Sequence, residues 1–373
     1  MSFIKGMDIS SLSELEKLGV TYYDNGTERD LFEILKNYGV NMIRLRLWHD
    51  PYDEHANPYG GGTNDFETTA ALAERAINQG MGVLLDFHYS DFWTDPAKQT
   101  KPKEWQGLSE AELEQKVYSY TYDVLTKLKK RGLVPEMVQA GNELTNGLLW
   151  PDGHQTNRTG MVRLLRSGIA AIRDVDRSIR VILHLDNGGN NSLYRDWFDA
   201  AEREQLDYDI IGLSYYPYWH GTLKEFEYNL ADIGTAYGKD LLVVETSYGY
   251  TLEQFASAAM AFSGELAKIA PYSATPQGQW QFMNDLMRTI SGVPNHRGLG
   301  FIYWEPAWIN VKGTTWATDA GRKYLDNSFA GGNSWANQAL FDRDGNALPA
   351  LSAIRDFGAL PAEKGGESGN AIG

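Results

Sequence analysis

The chain has no cysteine among its 373 residues. That excludes disulfides, thiolate metal sites and cysteine nucleophiles, and it leaves the cellular compartment open. No run of 18 apolar residues occurs, so no segment is expected to span a membrane. Positive charge is scarce: 34 Lys and Arg stand against 49 Asp and Glu, for a net charge of −15. This balance argues against nucleic acid and anionic membrane surfaces as partners. No GxGxxG or GxxxxGKS/T phosphate loop is found, and no linker. What the chain does have is aromatics, with 11 Trp and 21 Tyr, more than a core requires. Such rings suit a ligand with flat apolar faces, and sugars are the commonest of those.

Short apolar strands recur at 3–8, 41–47, 81–87, 134–140, 180–185, 208–213, 240–245 and 299–304. Amphipathic segments lie between them. Ser11-Leu-Ser-Glu14 and Ser109-Glu-Ala-Glu112 read as capping boxes, and Thr275-Pro276 puts Pro in a first helical turn. Gly39 and Gly132 read as helix stops. Eight strands, each followed by a helical stretch, predict an α/β fold, a single (β/α)8 TIM barrel with long βα loops around an open cleft. Residues 1–360 are expected to form this catalytic domain, and the Gly-rich 361–373 a disordered tail.

In such a barrel the site lies at the C-terminal ends of the strands. Those ends read Asp8, Arg46-Leu-Trp48, His88-Tyr89-Ser-Asp91, Asn142-Glu143, His184, Ser214-Tyr215-Tyr216, Glu245-Thr-Ser and Trp304-Glu305. Any one polar strand end is more often structural, but eight together argue for a site. The loops 48–65, 88–108, 146–158, 246–274 and 305–346 are also long enough to suggest function. Glu143 and Glu245 end strands four and seven, across the barrel from each other. Glycoside hydrolysis needs such a pair, one group to protonate the leaving oxygen and one to attack the anomeric carbon or activate water. Arg44 and Arg46 share the inward face of strand two. An Arg beside Glu245 would keep it ionised as nucleophile, leaving Glu143 as the protonated partner. Arg44 reads as a structural partner for barrel carboxylates; Arg46 reads equally as structural or substrate-binding. Asn142 can bond a sugar 2-OH. His49, His88 and His184 invite a metal reading, but no HxH follows strand one and no strand-end Lys could bridge two metals. His88 and His184 fit better as partners of the carboxylates or of sugar hydroxyls.

Several blocks, in order over residues 3 to 356, resemble a known family. They include "FIKGMDISSLSELE", "IRLRLWHDPYD", "VLLDFHYSDFWTDPAKQTKPKEW", "QAGNELTNGLLWPDG", "GLSYYPYWHG", "VVETSYGYT", "SATPQGQ" and "GFIYWEPAWI". Together they are similar to glycoside hydrolase family 53, the endo-β-1,4-galactanases of a clan of retaining (β/α)8 glycosidases. The resemblance implies Glu143 as acid/base and Glu245 as nucleophile, with Tyr216 and Arg46 beside the nucleophile and Asn142 preceding the acid/base. It places His88, Tyr89, Asp91 and Trp304 around the cleft, with Trp93, Trp150, Trp308, Trp316 and Trp335 as stacking platforms along it. The implied substrate is β-1,4-galactan, including the type I arabinogalactan side chains of pectin, cut by an endo-acting monomer. Another clan glycosidase (β-mannanase, cellulase or exo-β-galactosidase) and a silent glycan-binding barrel are the alternatives.

The chain departs from the family where bacterial members often carry an Asp-x-Asp-Gly-His-x-Asn calcium loop. Here residues 251–274 read "TLEQFASAAMAFSGELAKIAPYSA", without the hard oxygen ligands calcium needs. That segment is expected to be helical. No cofactor is expected, and no calcium at that position; "DRDGN" at 342–346 lacks EF-hand spacing. With the fold expected to begin at "FIKGMDIS", the chain leaves no room for a signal peptide. Secretion or display at the cell surface after loss of an export signal is the expectation, with the cytoplasm as the alternative.

Overall fold

The computed structural model describes residues 2–255 and 259–358. Eight parallel strands close into a barrel: β1 (Ile4–Asp8), β2 (Met42–Leu47), β3 (Gly82–Phe87), β4 (Met137–Ala140), β5 (Arg180–Leu185), β6 (Ile210–Ser214), β7 (Asp240–Thr246) and β8 (Gly298–Trp304). Each pairs with the next in sequence, and β8 pairs back onto β1. All eight lie where the sequence puts them, although β4 begins only at Met137. Two short hairpins, Tyr22–Asp24 with Thr27–Arg29 and Gly147–Leu148 with Gly153–His154, carry no pattern the sequence reading caught. The expected tail, 361–373, lies outside the described residues.

Period-2 alternation sorts each strand into a face toward the axis and a face toward the helices. On the axis, Ile4, Met42, Leu84, Met137, Ile182, Ile210, Leu242, Val244 and Ile302 form a separate apolar cluster that plugs the lower end. Further along the same inward faces the chemistry changes. Asp8, Arg44, Arg46, Asp86, Gln139, His184 and Ser214 are all fully buried there. Buried charges persist only when paired and hydrogen-bonded, so this polar layer has to be a closed network. It forms the floor of the site.

The outer faces pack on helices whose apolar positions recur at 3.6-residue spacing. In helix Arg158–Val175, Met161, Leu164, Leu165, Gly168, Ile169 and Ile172 are the buried stripe. Each fully buried Leu or Ile contributes about 1.5–3 kcal/mol. At Gly168 a Cβ would come 2.7 Å from the Tyr89 hydroxyl, so a larger residue there would have to move that ring. Ser109 and Glu112 form the expected capping box, and Thr275 caps the helix opened by Pro276. Gly39 and Gly132 end their helices at φ 78° and 75°. The box expected at Ser11 is not made. Its hydroxyl bonds Glu305 instead, and no side chain caps that helix.

The helix expected over 251–274 is not formed by the described residues of that segment, and 256–258 lie outside them. Among the described residues the segment holds only a 3-10 turn at Leu266–Lys268. Neighbouring loops satisfy the backbone instead: Tyr250 N donates to Asn337 O, Ala261 N to Ser334 O, and Phe262 O accepts from Asn337 Nδ2. At Tyr250, Ala261 and Phe262 the chain is thus held from outside itself.

One irregularity matters for the site. Leu213 pairs with Val243 but Ser214 with Glu245, and against β8 the register slips at the same place, between Val243 and Thr246. β7 therefore carries one extra residue, a bulge. Val244 belongs to the axial plug, so strict alternation would turn Glu245 toward the helices. The bulge re-aims it into the barrel mouth.

Candidate active site

A cavity of about 460 Å³ opens at the C-terminal mouth of the barrel. Asn142, Glu143, Tyr216 and Glu245 line it, together with Trp93, Trp304, Trp308, Trp316, Trp335 and Trp219. Trp304 sits at the centre of the aromatic wall, 4.6 Å from Trp335 and 6.0 Å from both Trp93 and Trp308, centroid to centroid. Apolar walls around a few convergent polar groups are what a small-ligand or glycan site requires.

Glu245 is 8% exposed. Its Oε1 lies 2.9 Å from Arg44 Nη2, and its Oε2 accepts from the Tyr216 hydroxyl at 3.2 Å. Burial pushes its carboxyl up to about 7 against the pull of Arg44; Asp86 and Asp8 add to the rise, and the Tyr216 phenol opposes it. Glu143 follows β4 in a left-handed conformation, φ 48° and ψ 62°, after Gly141 at φ 105°. A non-glycine residue held there stores about 1–3 kcal/mol, a strain characteristic of functional sites. The turn throws the Glu143 side chain inward, where Oε1 accepts from Ser214 Oγ at 2.7 Å. Burial, then the negative charges of Glu245 and Asp186, push Glu143 far above the ordinary carboxylate range, and the Ser214 hydroxyl offsets only part of this. Glu245 has a guanidinium; Glu143 has only a hydroxyl. The first proton the pair binds therefore resides on Glu143.

Below the pair, Arg44 gathers the polar layer. It donates to Gln139 Oε1 (2.7 Å), Asp8 Oδ2 (2.7 Å), Asp86 Oδ2 (2.8 Å) and Asn142 Oδ1 (3.1 Å). His88 sits between Asp86, 3.1 Å from its Nε2, and Thr94, whose N–H and hydroxyl face its Nδ1. Burial lowers the pKa of His88, so the ring is neutral.

Of the residues picked from sequence, Glu143, Glu245, Asn142, His88, Trp93, Tyr216, Trp304 and Trp308 come together on this cavity, with Trp316 and Trp335. Four others do not line it. Arg46 is not the arginine beside Glu245: it binds Glu305 (2.6 Å), Asp8 (3.3 Å) and the Gly61 carbonyl (2.9 Å), under Trp93. The residue at Glu245 is Arg44, one step deeper in β2. Tyr89 turns outward at φ 50°, and its hydroxyl bonds Thr121 at 2.8 Å on helix Glu110–Lys130. Asp91 is fully buried and accepts the Asp50 and Lys103 N–H groups, anchoring two loops. Trp150 donates to Asn146 O and packs on His154, bracing its own hairpin. Asp186 and Trp219 line the cavity but were not singled out from sequence. Trp219 was visible only as a letter in "YYPYWHG".

Among the described residues no group of three or more His, Asp or Glu side chains is arranged to hold a metal. Asp342 of "DRDGN" accepts the N–H groups of Asp344 and Asn346, a self-contained turn.

An eight-stranded barrel with two unlike carboxylates facing one aromatic cavity at its C-terminal mouth defines the class of (β/α)8 glycoside hydrolases. Within that class the chain belongs to glycosyl hydrolase family 53, whose family model matches residues 4–354. It is 39% identical to the endo-beta-1,4-galactanase of Bacillus subtilis (strain 168), over 97% of this chain and 88% of that one. It is 36% identical to the arabinogalactan endo-beta-1,4-galactanase of Cellvibrio japonicus (strain Ueda107), over 94% and 89%. Among solved structures, the GH53 catalytic domain of Ignisphaera aggregans superposes with a TM-score of 0.90 at 43% identity, covering 95% of this chain and 96% of that one.

Proposed function

We infer that this chain hydrolyses internal β-1,4-galactosidic bonds of galactan and of type I arabinogalactan side chains, releasing galacto-oligosaccharides with retained configuration. The observation that carries the residue roles is the unequal setting of two carboxylates on one cavity: Glu143 held protonated, Glu245 paired with Arg44. Glu245 Oε2 or Oε1 attacks the anomeric carbon, the bond from that carbon to the glycosidic oxygen breaks, and the Glu143 proton goes to the leaving oxygen. Glu143, now ionised, takes a proton from water, whose oxygen attacks the same carbon and releases Glu245. Asn142 faces the sugar at this point, where a bond to the 2-OH strengthens in the transition state. The tryptophans hold the flanking sugars by their apolar faces.

One chain supplies every group these steps use, so a monomer without cofactor suffices, and residues 1–360 are taken as the catalytic unit. A polysaccharide too large to enter a cell puts the working place outside it or at its surface. Among the described residues no helix is long and apolar enough to cross a membrane.

The deciding experiment is a product profile on linear β-1,4-galactan, mannan and carboxymethylcellulose, with and without EDTA, the product anomer being followed by NMR. Short β-configured oligosaccharides from galactan alone, unchanged by EDTA, support the whole reading. Galactose alone makes the enzyme exo-acting, activity on another glycan discards the substrate, and inversion removes Glu245 from its role as nucleophile.

A further inference from the structure

We propose that Gln139, His184 and Ser214 form a one-way hydrogen-bond chain that links the two catalytic carboxylates through the barrel, and that Ser214 is a positioning residue fixing which oxygen of Glu143 carries the catalytic proton. This rests on the roles proposed above for Glu143 and Glu245.

The direction of the chain follows from donor inventory. Arg44 can only donate, so the Gln139 atom 2.7 Å from its Nε is the carbonyl oxygen, and the amide orientation is fixed. Gln139 Nε2 then spends one proton on Asp86 Oδ1 (3.1 Å) and directs the other at His184 Nδ1 (3.0 Å). The Glu143 N–H also points at His184 Nδ1, at 3.3 Å. Two donors face that nitrogen. The third neighbour, Asn142 Oδ1 at 3.1 Å, already accepts from Arg44. Nδ1 is thus the acceptor and the proton sits on Nε2, an assignment made from the network. Burial and the Arg44 charge keep His184 from taking a second proton. Nε2–H donates to Ser214 Oγ at 2.8 Å, and the Ser214 hydroxyl is left with one direction for its own proton, toward Glu143 Oε1 at 2.7 Å. Gln139, His184 and Ser214 are all fully buried, so water has no access to reverse the chain.

The consequence is chemical. Oε1 of Glu143 is an acceptor in both protonation states, so the acidic proton resides on Oε2, the oxygen left to face substrate. In the second half of the reaction, when Glu143 must be an anion, the same hydroxyl stabilises it.

The test uses an aryl β-1,4-galactobioside with a poor leaving group, whose alkaline limb of kcat/KM reports departure assisted by the Glu143 proton, and its counterpart with a good leaving group, whose kcat and KM report release by water. Ser214→Ala is expected to move the alkaline limb of kcat/KM upward by about one pH unit, because a donor to the anion is gone. It should lower kcat by about tenfold while kcat/KM at its optimum falls less, so that KM falls too. Ser214→Thr, which keeps the hydroxyl, is expected to restore both; if Ser214→Ala does not fold, Ser214→Cys, a weaker donor, should move the limb the same way by a smaller step. An unmoved alkaline limb, or equal losses in kcat and kcat/KM, would overturn the proposal and leave Ser214 a packing residue. Glu143→Gln measured alongside separates the two layers of argument: if it keeps the wild-type alkaline limb, the role of Glu143 itself is wrong.

Discussion

Arg44→Lys isolates what the guanidinium does, because it keeps the charge and removes the fork. Arg44 is fully buried and serves five acceptors: Gln139 Oε1, Asp8 Oδ2, Asp86 Oδ2, Asn142 Oδ1 and Glu245 Oε1. A lysine ammonium has three donors, so at least two buried acceptors lose their partner. Each such loss costs about 1–3 kcal/mol, or roughly 2–6 kcal/mol in all. For a domain of this size that lowers the thermal midpoint by about 3–8 °C. The shorter reach also withdraws positive charge from Glu245. Its carboxyl, already raised to about 7, rises further, and in the proposed role of nucleophile, which must be ionised, it then needs a higher pH. The acid limb of kcat/KM should therefore move upward by about one pH unit. Calorimetry and a pH–rate profile on galactan check both parts. A midpoint within about one degree of wild type, together with an unmoved acid limb, would show that the polar layer does not depend on Arg44 and would refute the reasoning.

Glu143→Ala and Glu245→Ala should fold and each lose several orders of magnitude in rate. Azide should rescue only the Glu143 variant on an activated substrate, giving a β-galactosyl azide; rescue with retained configuration from the Glu245 variant would reverse the two roles. Burial raises the folded-state pKa of Glu143 above its unfolded value, so the wild type binds more protons folded than unfolded and loses stability as pH rises between the two. Glu143→Gln is expected to melt higher than wild type above neutral pH, by a margin that widens with pH; parallel melting curves count against a strained carboxylate. Trp219 is 46% exposed at the cavity mouth. Trp219→Ala should raise KM for galactan by roughly 3- to 10-fold with kcat little changed, and an unchanged KM removes it from the substrate path.

The barrel was legible because its signal is repeated eight times, each strand an apolar run bounded by turn residues. The carboxylate pair was legible because strand ends in this fold converge. What could not be read was depth and partner choice. Arg44 and Arg46 have the same letter and the same face, and only the height of each above the apolar plug decides which meets Glu245 and which meets Glu305. Ser11 has the spacing of a capping box, but a buried carboxylate 294 residues away competes for its hydroxyl. Tyr89 and Asp91 sit in a block full of cleft residues, yet the left-handed turn at Tyr89 sends its ring to the helices. Among the described residues of 251–274, Ala261 and Phe262 are held by tertiary hydrogen bonds, which no local propensity records.

The bulge in β7 makes the direction of Glu245 depend on the break in the ladder before it as much as on the residue itself. Straightening the bulge while keeping every residue would leave a strand with an unbroken ladder, an apolar run and a terminal glutamate, and nothing in its letters would look damaged. The carboxylate would nonetheless face the helix layer. Its place beside Arg44 would pass to Thr246, whose hydroxyl now donates to the Tyr215 carbonyl. In transplanting this site to another barrel, or in matching it to a distant relative, the bulge in the seventh strand is therefore as much a part of the active site as its glutamate.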